Sequence, residues 1–538
     1  MQVFTFYVFS NIFIYLIGKS LTNLLQKNII TQNTNKPTQI FGFKMSTFYS
    51  IIALFFIGNV SVLINFFSPL KNNLILIPLI VLLLHGLKIF EFKELGFENL
   101  LIPLITFVTF FGIGKSEDLG LYHLNVISIL QNDKILIGSA LFHKRFGYSS
   151  IYEYISNYFF INNNLIYLHI VFLLFVNFFF MFLFNSLKNK NLKIKVSGIS
   201  ICLIGFLDNF GYSGGKNSFI DIESIGKFDS VLSILFVSSF VLLISISYKN
   251  ISNLEVFILL LFITFTMQLK HTGVLLIFIL IVTLPEIFKI ILRNKIILYT
   301  YSLILFIWFL KNILISSCFL FPVEVTCLNF FSWSLENYAG YEQEVVRSSL
   351  NSFTLENSFS QNYINWRNGN LRNFDTFKNI FVTFIFLIIF QIIITKPKIN
   401  NFKKIFIGFI IFFLMLFYVF FNVPESRFAL GVLTSTSILQ IYVFEIKKVN
   451  LNKYIIYILF LFSLLLYPRL DSYKNIQNGF ENVISVPQID YRLRNNSYGY
   501  EPISGGESCW LNIECTTSEA INVNLIRKYG YKIFIPIK

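Results

Sequence analysis

Charged side chains are scarce in this sequence, making up 13% of its 538 residues, against about 25% in soluble domains. Acidic residues are rarer than basic ones, with 28 Asp and Glu against 43 Lys and Arg. Apolar residues make up 55%, and the mean hydropathy is +0.67. A water-soluble fold cannot bury that much apolar surface, so the composition excludes a soluble enzyme and predicts a membrane protein.

Several common motifs are also missing. The sequence has no phosphate-binding GxxxxGK[ST], no zinc-binding HExxH and no dinucleotide-binding GxGxxG. The first absence argues against a nucleotide-driven pump. The net charge of +15 does not indicate a nucleic-acid partner, because the basic residues lie at the ends of apolar segments rather than in one patch.

Apolar runs of membrane-spanning length recur along the chain. A helix needs about 20 apolar residues to cross a bilayer. We predict an all-α polytopic membrane protein with about fourteen transmembrane helices, within a range of about 12 to 14. The run 196–207 is too short to cross alone and is predicted as a broken or tilted helix that protein buries. The runs lie near 3–18, 46–68, 73–90, 98–114, 165–186, 196–207, 230–248, 251–268, 273–288, 296–320, 377–395, 405–421, 428–445 and 454–467.

Lysine residues cluster between these runs, and the clusters set the orientation. Loops rich in Lys and Arg face the cytoplasm, and one alternating register places every basic loop there. The main clusters lie in 19–44, 188–195, 396–404 and 446–453. The same register predicts a transmembrane domain over 1–467, followed by a small extracytoplasmic region over 468–538. The predicted outer loops are 115–164, 208–229 and 321–376.

Cysteine is rare, with five residues. Cys202 lies inside an apolar run, whereas the other four fall on the predicted extracytoplasmic side, where disulfides persist. Cys509 and Cys515 are predicted to pair, because the five residues between them let the Cα atoms approach to about 5.5–6 Å. Two unpaired thiols are the alternative.

The first predicted outer loop holds an adjacent acid pair, Glu117 and Asp118, where an apolar run leaves the membrane. If the following segment is a helix, Tyr122 and His123 lie one turn beyond Asp118. A carboxylate there could act as a general base toward a hydroxyl group, or hold a divalent cation against a phosphate. An acidic helix N-terminus, stabilised by the helix dipole, explains the same residues without a function.

Basic side chains at the membrane face are candidate phosphate ligands. His143 and Arg145 lie in the same outer loop, and Arg offers phosphate two parallel N–H donors. Interfacial anchoring by basic and aromatic residues is the alternative. Lys270, Lys311 and Arg427 lie in or beside apolar runs, where charges mark function unless they reach to the nearer surface.

Five short blocks, in this order over about 115–516, resemble a family of uncharacterised multi-spanning bacterial membrane proteins. They are Asp118-Leu-Gly-Leu-Tyr-His123, His143-x-Arg145-Phe-Gly-Tyr-Ser-Ser150, Lys270, Pro424-Glu-Ser-Arg427-Phe-Ala-Leu-Gly431 and Cys509-Trp…Cys515-Thr516. That family in turn resembles GT-C type glycosyltransferases, whose catalytic base is an acidic residue of the first extracytoplasmic loop. Glu117 and Asp118 match this base by position and type. Four predicted spans precede them here, however, whereas GT-C enzymes usually have one.

The resemblance implies a GT-C-like transmembrane domain in the bacterial inner membrane. Its activity would transfer a sugar from a polyprenyl-phosphate carrier to an envelope glycan or glycolipid on the outer face. Asp118 would be the general base, supported by Glu117, with His123 lining the same entrance. The phosphate ligands would be His143, Arg145, Lys270 and Arg427.

Two other functions stay open. One is a polysaccharide polymerase of the O-antigen type, in which arginines of the outer loops would matter more than Asp118. The other is a transporter or flippase, which predicts inverted repeats and ionisable residues near the bilayer midplane. Membrane lipids, a lipid-linked donor and a glycan or lipid acceptor are the expected partners. The sequence identifies no cofactor with certainty, and a divalent cation remains an option.

Overall fold

A computed structural model describes most of the chain and confirms a mainly α-helical fold. Short strands form three antiparallel pairs among the described residues. The described residues are 2–29, 39–207, 225–246, 251–369, 371–395, 402–422, 426–446, 448–449, 451–477, 486–503, 508–517 and 520–537.

The first half of the chain holds eleven α-helices within the described residues, and a π-helical turn, Leu119–His123, leads into the fifth. They are α1 (Gln2–Ile29), α2 (Tyr49–Asn65), α3 (Leu76–Lys88), α4 (Glu98–Phe107), α5 (Leu124–Asn132), α6 (Ser139–Phe142), α7 (Ile151–Ser156), α8 (Leu168–Lys188), α9 (Leu192–Leu207), α10 (Asp229–Ser245) and α11 (Asn253–Leu269). The first strand pair joins β1 (Gln39–Ile40) to β2 (Phe43–Lys44).

The second half is also mainly helical in its described residues. Its helices are α12 (Val274–Thr283), α13 (Ile287–Arg293), α14 (Lys295–Ser316), α15 (Tyr338–Ser349), α16 (Phe359–Gly369), α17 (Leu371–Thr395), α18 (Phe402–Asn422), α19 (Ser426–Ile438), α20 (Gln440–Val443), α21 (Lys453–Leu466) and α22 (Leu470–Lys474). Near the C-terminus β3 (Tyr491–Leu493) pairs with β4 (Tyr500–Pro502), and β5 (Val523–Lys528) pairs with β6 (Tyr531–Pro536).

Each of the fourteen predicted runs overlaps one or more of these helices, but most of the helices are shorter than a bilayer crossing. Within the described residues, five helices are long and apolar enough to span a membrane, and a bent pair would make a sixth. Seven further apolar helical segments have 10–17 residues. The five long helices cover Gln2–Lys27, Met45–Asn65, Leu165–Lys188, Lys295–Ser316 and Phe402–Asn422.

The run 273–288 does not form the single straight helix that its hydropathy predicts. The chain breaks after Thr283, and the two helical parts meet at an angle of 100°. Pro285 lies in the break. Proline has no backbone N–H to donate and disfavours a helical conformation in the residue before it, so a continuous helix ends here.

Three apolar helices, α8, α10 and α11, form the centre of the protein and are buried on nearly all sides. A helix that is apolar all round belongs in such an interior. Small residues let α19 approach α10 closely. A Cβ atom added to Gly431 of α19 would lie only 2.9 Å from the Cα atom of Ser233 in α10. Outer helices such as α3 and α18 instead expose large apolar side chains, a surface that suits lipid.

The region 468–538, predicted as a small appended unit, packs into the same core as the rest of the chain. The Phe534 N–H donates to the Ile137 carbonyl at 2.9 Å, and the Phe534 ring stacks on Phe142 at 4.8 Å. Lys532 forms an ion pair with Asp133 at 3.0 Å. β6 therefore packs against residues 133–142, which belong to the same predicted outer loop as Asp118.

Candidate functional site

A cavity of about 550 Å³ lies where the π-helical turn, the start of α10, the end of α11 and the helices α12, α14 and α15 meet. Much of its wall is apolar, including Leu275, Trp308, Val346 and Phe428. Among the lining residues that the structure describes, four cations face two carboxylates, so a negatively charged ligand is favoured. The charged and imidazole side chains of the wall are Asp118, His123, Arg145, Lys227, Asp229, Lys270, His271 and Arg347.

The π-helical turn explains how Asp118 and His123 reach the same cavity. Hydrogen bonds of a π-helix join residues five apart, and Asp118 is the residue immediately before the turn that ends at His123. Gly120 permits this turn to press against Trp510, since a Cβ atom on Gly120 would lie 2.5 Å from the indole ring. The Trp510 backbone N–H also donates to the Gly120 carbonyl at 2.8 Å.

The segment before α10 joins the same wall by pairing with the chain just before Asp118. The Ile225 N–H donates to the Gly114 carbonyl at 2.9 Å, and the Ser116 N–H donates to the Ile225 carbonyl at 3.1 Å. Gly226 then turns with φ at +99°, and a side chain there would collide with Leu119. This turn delivers Lys227, Phe228 and Asp229 to the cavity.

Lys270 follows the last residue of α11 and is held by two groups. Its Nζ atom lies 3.1 Å from Asp229 Oδ1 and 3.7 Å from the centroid of the Phe428 ring. An aromatic face attracts a cation, and an adjacent carboxylate offsets part of the cost of removing it from water. Lys270 is thus fixed at the rim of the cavity rather than extended toward a distant surface.

Arg145 faces the cavity across the Tyr122 ring, whose centroid lies 5.8 Å from its guanidinium carbon. Burial and the Asp118 carboxylate raise the pKa of Tyr122 well above its ordinary value, so its hydroxyl stays protonated. Arg145 and Asp118 therefore act on the same phenol in opposite directions, since the Arg145 charge lowers its pKa while Asp118 raises it.

His143 has a different position from the one predicted for a phosphate ligand. Its side chain is fully buried, it does not line the cavity, and its ring stacks on Phe146 at 4.6 Å. Its Nδ1 atom accepts the Arg145 backbone N–H at 3.2 Å. Burial and the Arg145 charge lower the pKa of His143 to about 3. The structure thus makes His143 a support for Arg145.

Residues 1–434 match the family model described as Domain of unknown function (DUF8201). The chain belongs to the DUF8201 family. No curated protein and no solved structure matches it. All residues that line the large cavity fall within the matched part, whereas Trp510 and β6 lie beyond it.

Of two further predicted residues of this DUF8201 protein, one stands apart from the cavity wall and the side chain of the other is not described. Glu117 is exposed and is not among the lining residues, so the acid pair is split between the surface and the cavity. Arg427 is the second residue of α19, but its side chain lies outside the described residues. Its neighbour Phe428 lines the cavity.

Both cysteine pairs of the polar segments form disulfides in the structure. Cys509 bonds to Cys515 with the Cα atoms 5.5 Å apart, as the sequence predicts. Cys318 bonds to Cys327, and Cys202 is a buried free thiol. The Cys509–Cys515 disulfide closes the loop that holds Trp510 against the π-helical turn, so it stabilises the packing of this turn, which follows Asp118.

The described residues contain no group of three or more His, Cys, Asp and Glu side chains that could hold a metal ion. A divalent cation held by the acid pair Glu117 and Asp118 is one option that the sequence leaves open. Because Glu117 is exposed and Asp118 faces the cavity, the two carboxylates do not form a preassembled cage in this DUF8201 structure.

Sequence reasoning did not single out Lys227, Arg347 or Glu153. Arg347 lies on α15, where its Nη2 atom donates to Asn422 Oδ1 at 3.5 Å, and nothing in the local pattern marks it. Glu153 does carry a local signal, because Ser150 and Glu153 form a capping box at the start of α7. That signal predicts a helix start and gives no hint of a contact with His123.

Lys311, the charge predicted inside an apolar run, is fully buried yet satisfied. Its Nζ atom donates to the Ser149 carbonyl at 3.0 Å and lies 3.6 Å from the centroid of the Trp308 ring. It therefore joins α14 to the loop between Arg145 and α7. Since Ser149 and Trp308 both line the cavity, Lys311 holds two parts of its wall together.

Proposed function

We propose that this DUF8201 protein is a membrane glycosyltransferase that transfers a sugar from a lipid-phosphate carrier to a glycan or glycolipid. The observation that carries the proposal is the cavity, which joins Asp118 and His123 to a surplus of cations within a partly apolar wall. In the predicted topology this cavity faces the extracytoplasmic side of the bacterial inner membrane.

Asp118 serves as the general base. The acceptor hydroxyl group must lose its proton as it attacks the sugar, and a carboxylate at the cavity wall can receive it. General-base catalysis contributes roughly 10²–10⁴-fold to a rate. Asp118 lines the same cavity as Tyr122 and Arg145, so an acceptor bound there meets a carboxylate, a phenol hydroxyl and a cation.

The cations stabilise the leaving group. When the bond between the sugar and the phosphate oxygen breaks, the lipid phosphate departs with the electron pair and gains negative charge. Arg145, Lys227, Lys270 and Arg347 all line the cavity where that charge develops. Fixed positive groups in such a site lower the transition-state energy most, because they need no reorganisation during the reaction.

The apolar wall suits the isoprenoid part of the carrier. Phe278 belongs to the cavity lining, yet 53% of its surface is exposed on the apolar helix α12. The cavity thus extends from the charged groups to an apolar outer surface. A polyprenyl phosphate has the same two parts, an anionic head and a hydrocarbon tail.

A transporter or flippase is the second candidate, and the break between α12 and α13 favours it. Transporters often place their substrate beside interrupted helices that carry ionisable residues nearby. Here the helical segment that bends by 100° begins at His271, directly after Lys270, and both residues line the cavity. The two candidates share a lipid-linked saccharide as ligand and differ in whether a bond is broken.

A deletion strain distinguishes these functions. Loss of a transferase leaves the lipid-linked donor on the outer leaflet and an acceptor that lacks one sugar. Loss of a flippase leaves the complete lipid-linked saccharide on the inner leaflet, protected from a membrane-impermeant oxidant. Mass spectrometry of the glycolipids, with periodate treatment of intact spheroplasts, separates the two. A deletion strain whose glycolipids and glycans are unchanged would refute both proposals.

A further inference from the structure

His123 and Glu153 share a deeply buried hydrogen bond beside the large cavity. His123 Nδ1 lies 2.8 Å from Glu153 Oε1, and the two side chains are only 6% and 3% exposed. They come from separate elements, the π-helical turn and α7, which are 30 residues apart in the chain. A carboxylate buried this deeply is retained only where its oxygens have donors.

Both oxygens of Glu153 do have donors. Oε1 accepts a hydrogen bond from His123 Nδ1, and Oε2 accepts one from the Ser150 backbone N–H at 3.0 Å. The carboxylate therefore acts as an acceptor on both sides, and His123 is the donor of the shared hydrogen bond. A neutral imidazole that donates through Nδ1 has its lone pair on Nε2.

The two residues have different access to the cavities. His123 lines the large cavity and also a second one of about 20 Å³ behind it. Glu153 lines only the small cavity. A ligand in the large cavity can therefore reach the imidazole but not the carboxylate, which acts through the ring.

We propose that Glu153 is a positioning residue that fixes the tautomer of His123, so that Nε2 accepts the proton released by the acceptor hydroxyl. This inference rests on the proposed glycosyl transfer. Asp118 takes the proton as the new sugar–oxygen bond forms and the sugar–phosphate bond breaks. His123 Nε2 then takes it from Asp118, and the departing phosphate dianion receives it last. The Nδ1–H stays bonded to Glu153 throughout, and Asp118 is restored as a carboxylate.

The test is the tautomer of His123 and its dependence on Glu153. The chain has five histidines, so ¹⁵N-histidine labelling gives few signals, and the His123→Gln variant identifies the one that disappears. Long-range ¹H–¹⁵N correlation of the full-length protein in detergent should show the proton of His123 on Nδ1. A wild-type signal from the Nε2–H tautomer would overturn the proposal, even if no Glu153 variant folds.

Glu153→Gln gives the second arm. A glutamine has one acceptor oxygen for two donors, and the Ser150 N–H is fixed by the backbone. We therefore expect the ring to change to the Nε2–H tautomer and sugar transfer to fall about 10²-fold. The matched control is Glu342→Gln, another buried glutamate, which pairs with Lys144 at 3.9 Å and should change neither readout.

The two proposals can fail separately. A changed tautomer in Glu153→Gln with undiminished transfer would overturn the role of His123 in the proton path while leaving glycosyl transfer intact. An Nδ1–H tautomer that depends on Glu153, in a protein whose Asp118→Asn variant leaves every glycan unchanged, would instead refute the transferase.

Discussion

At the scale of single residues, the charges that look misplaced in the sequence have partners in the fold. Lys311 donates to a backbone carbonyl, Lys270 pairs with Asp229, and His123 pairs with Glu153. Lys270 and His123 can be predicted from the sequence as candidate functional residues, because an ionisable group beside an apolar run is unusual. It could not identify Asp229 or Glu153 as their partners, since those contacts join distant parts of the chain.

His143 gives a pH dependence of stability with a defined sign. Burial and Arg145 hold the pKa of folded His143 at about 3, below the ordinary value of 6.5, so the unfolded chain binds the extra proton between these values. The stability contributed by the neutral ring is complete above about pH 6.5 and is lost as the pH falls toward 3.

We therefore expect the melting temperature of the detergent-solubilised protein to fall between pH 7.5 and pH 4.5, and His143→Asn to fall less over that range. Differential scanning fluorimetry of both proteins checks this. Equal slopes for the two proteins would show that His143 is not the group that titrates.

At the scale of elements, hydropathy predicts where helices lie better than how long or straight they are. The segment 273–288 is apolar throughout, and only Pro285 signals the break between α12 and α13. The C-terminal strands could be expected from Lys532 to Pro536, but their docking on the Asp118 segment could not. β6 docks on Ile137 and Phe142, and Trp510 docks separately on Gly120, whose missing side chain makes room for the indole ring.

Gly120 and Trp510 should therefore be energetically coupled. Gly120→Val forces a side chain into the indole ring and should cost about 1–3 kcal/mol of unfolding free energy. Trp510→Ala empties the same space and should cost about 3–5 kcal/mol. In the double variant the valine has room, so the total should be smaller than the sum.

A double-mutant cycle on thermal or denaturant unfolding measures this coupling. Additive effects, within about 0.5 kcal/mol, would mean that the tail does not press on the π-helical turn as described.

At the scale of the whole molecule, composition and the lysine clusters predict a helical membrane protein and an orientation for its loops. They predict about fourteen crossings, whereas five helices of the described chain reach spanning length, with a sixth from the bent pair. Hydropathy alone cannot separate a short crossing helix from a buried core helix. In this fold α10 and α11, with 17 residues each, are buried on nearly every side.

Cysteine labelling checks the orientation. Lys190→Cys and Glu117→Cys each add one thiol at an exposed position, on opposite predicted faces, while the native free thiol of Cys202 is buried. In intact cells a membrane-impermeant maleimide should label position 117 and leave position 190 unlabelled until the membrane is opened. Labelling of position 190 in sealed cells would show that the register is inverted or that a span is missing.

The central proposal is that Asp118 is the general base of a sugar transfer. The decisive measurement is the transfer rate of purified protein with Asp118→Asn and Glu117→Gln combined, using the lipid-linked donor that the deletion strain accumulates. Asp133→Asn, which removes an acid paired with Lys532 outside the cavity lining, is the matched control. We expect the double variant to lose about 10²–10⁴-fold in turnover while the control stays near wild type. Transfer at the wild-type rate by the folded double variant would contradict the account.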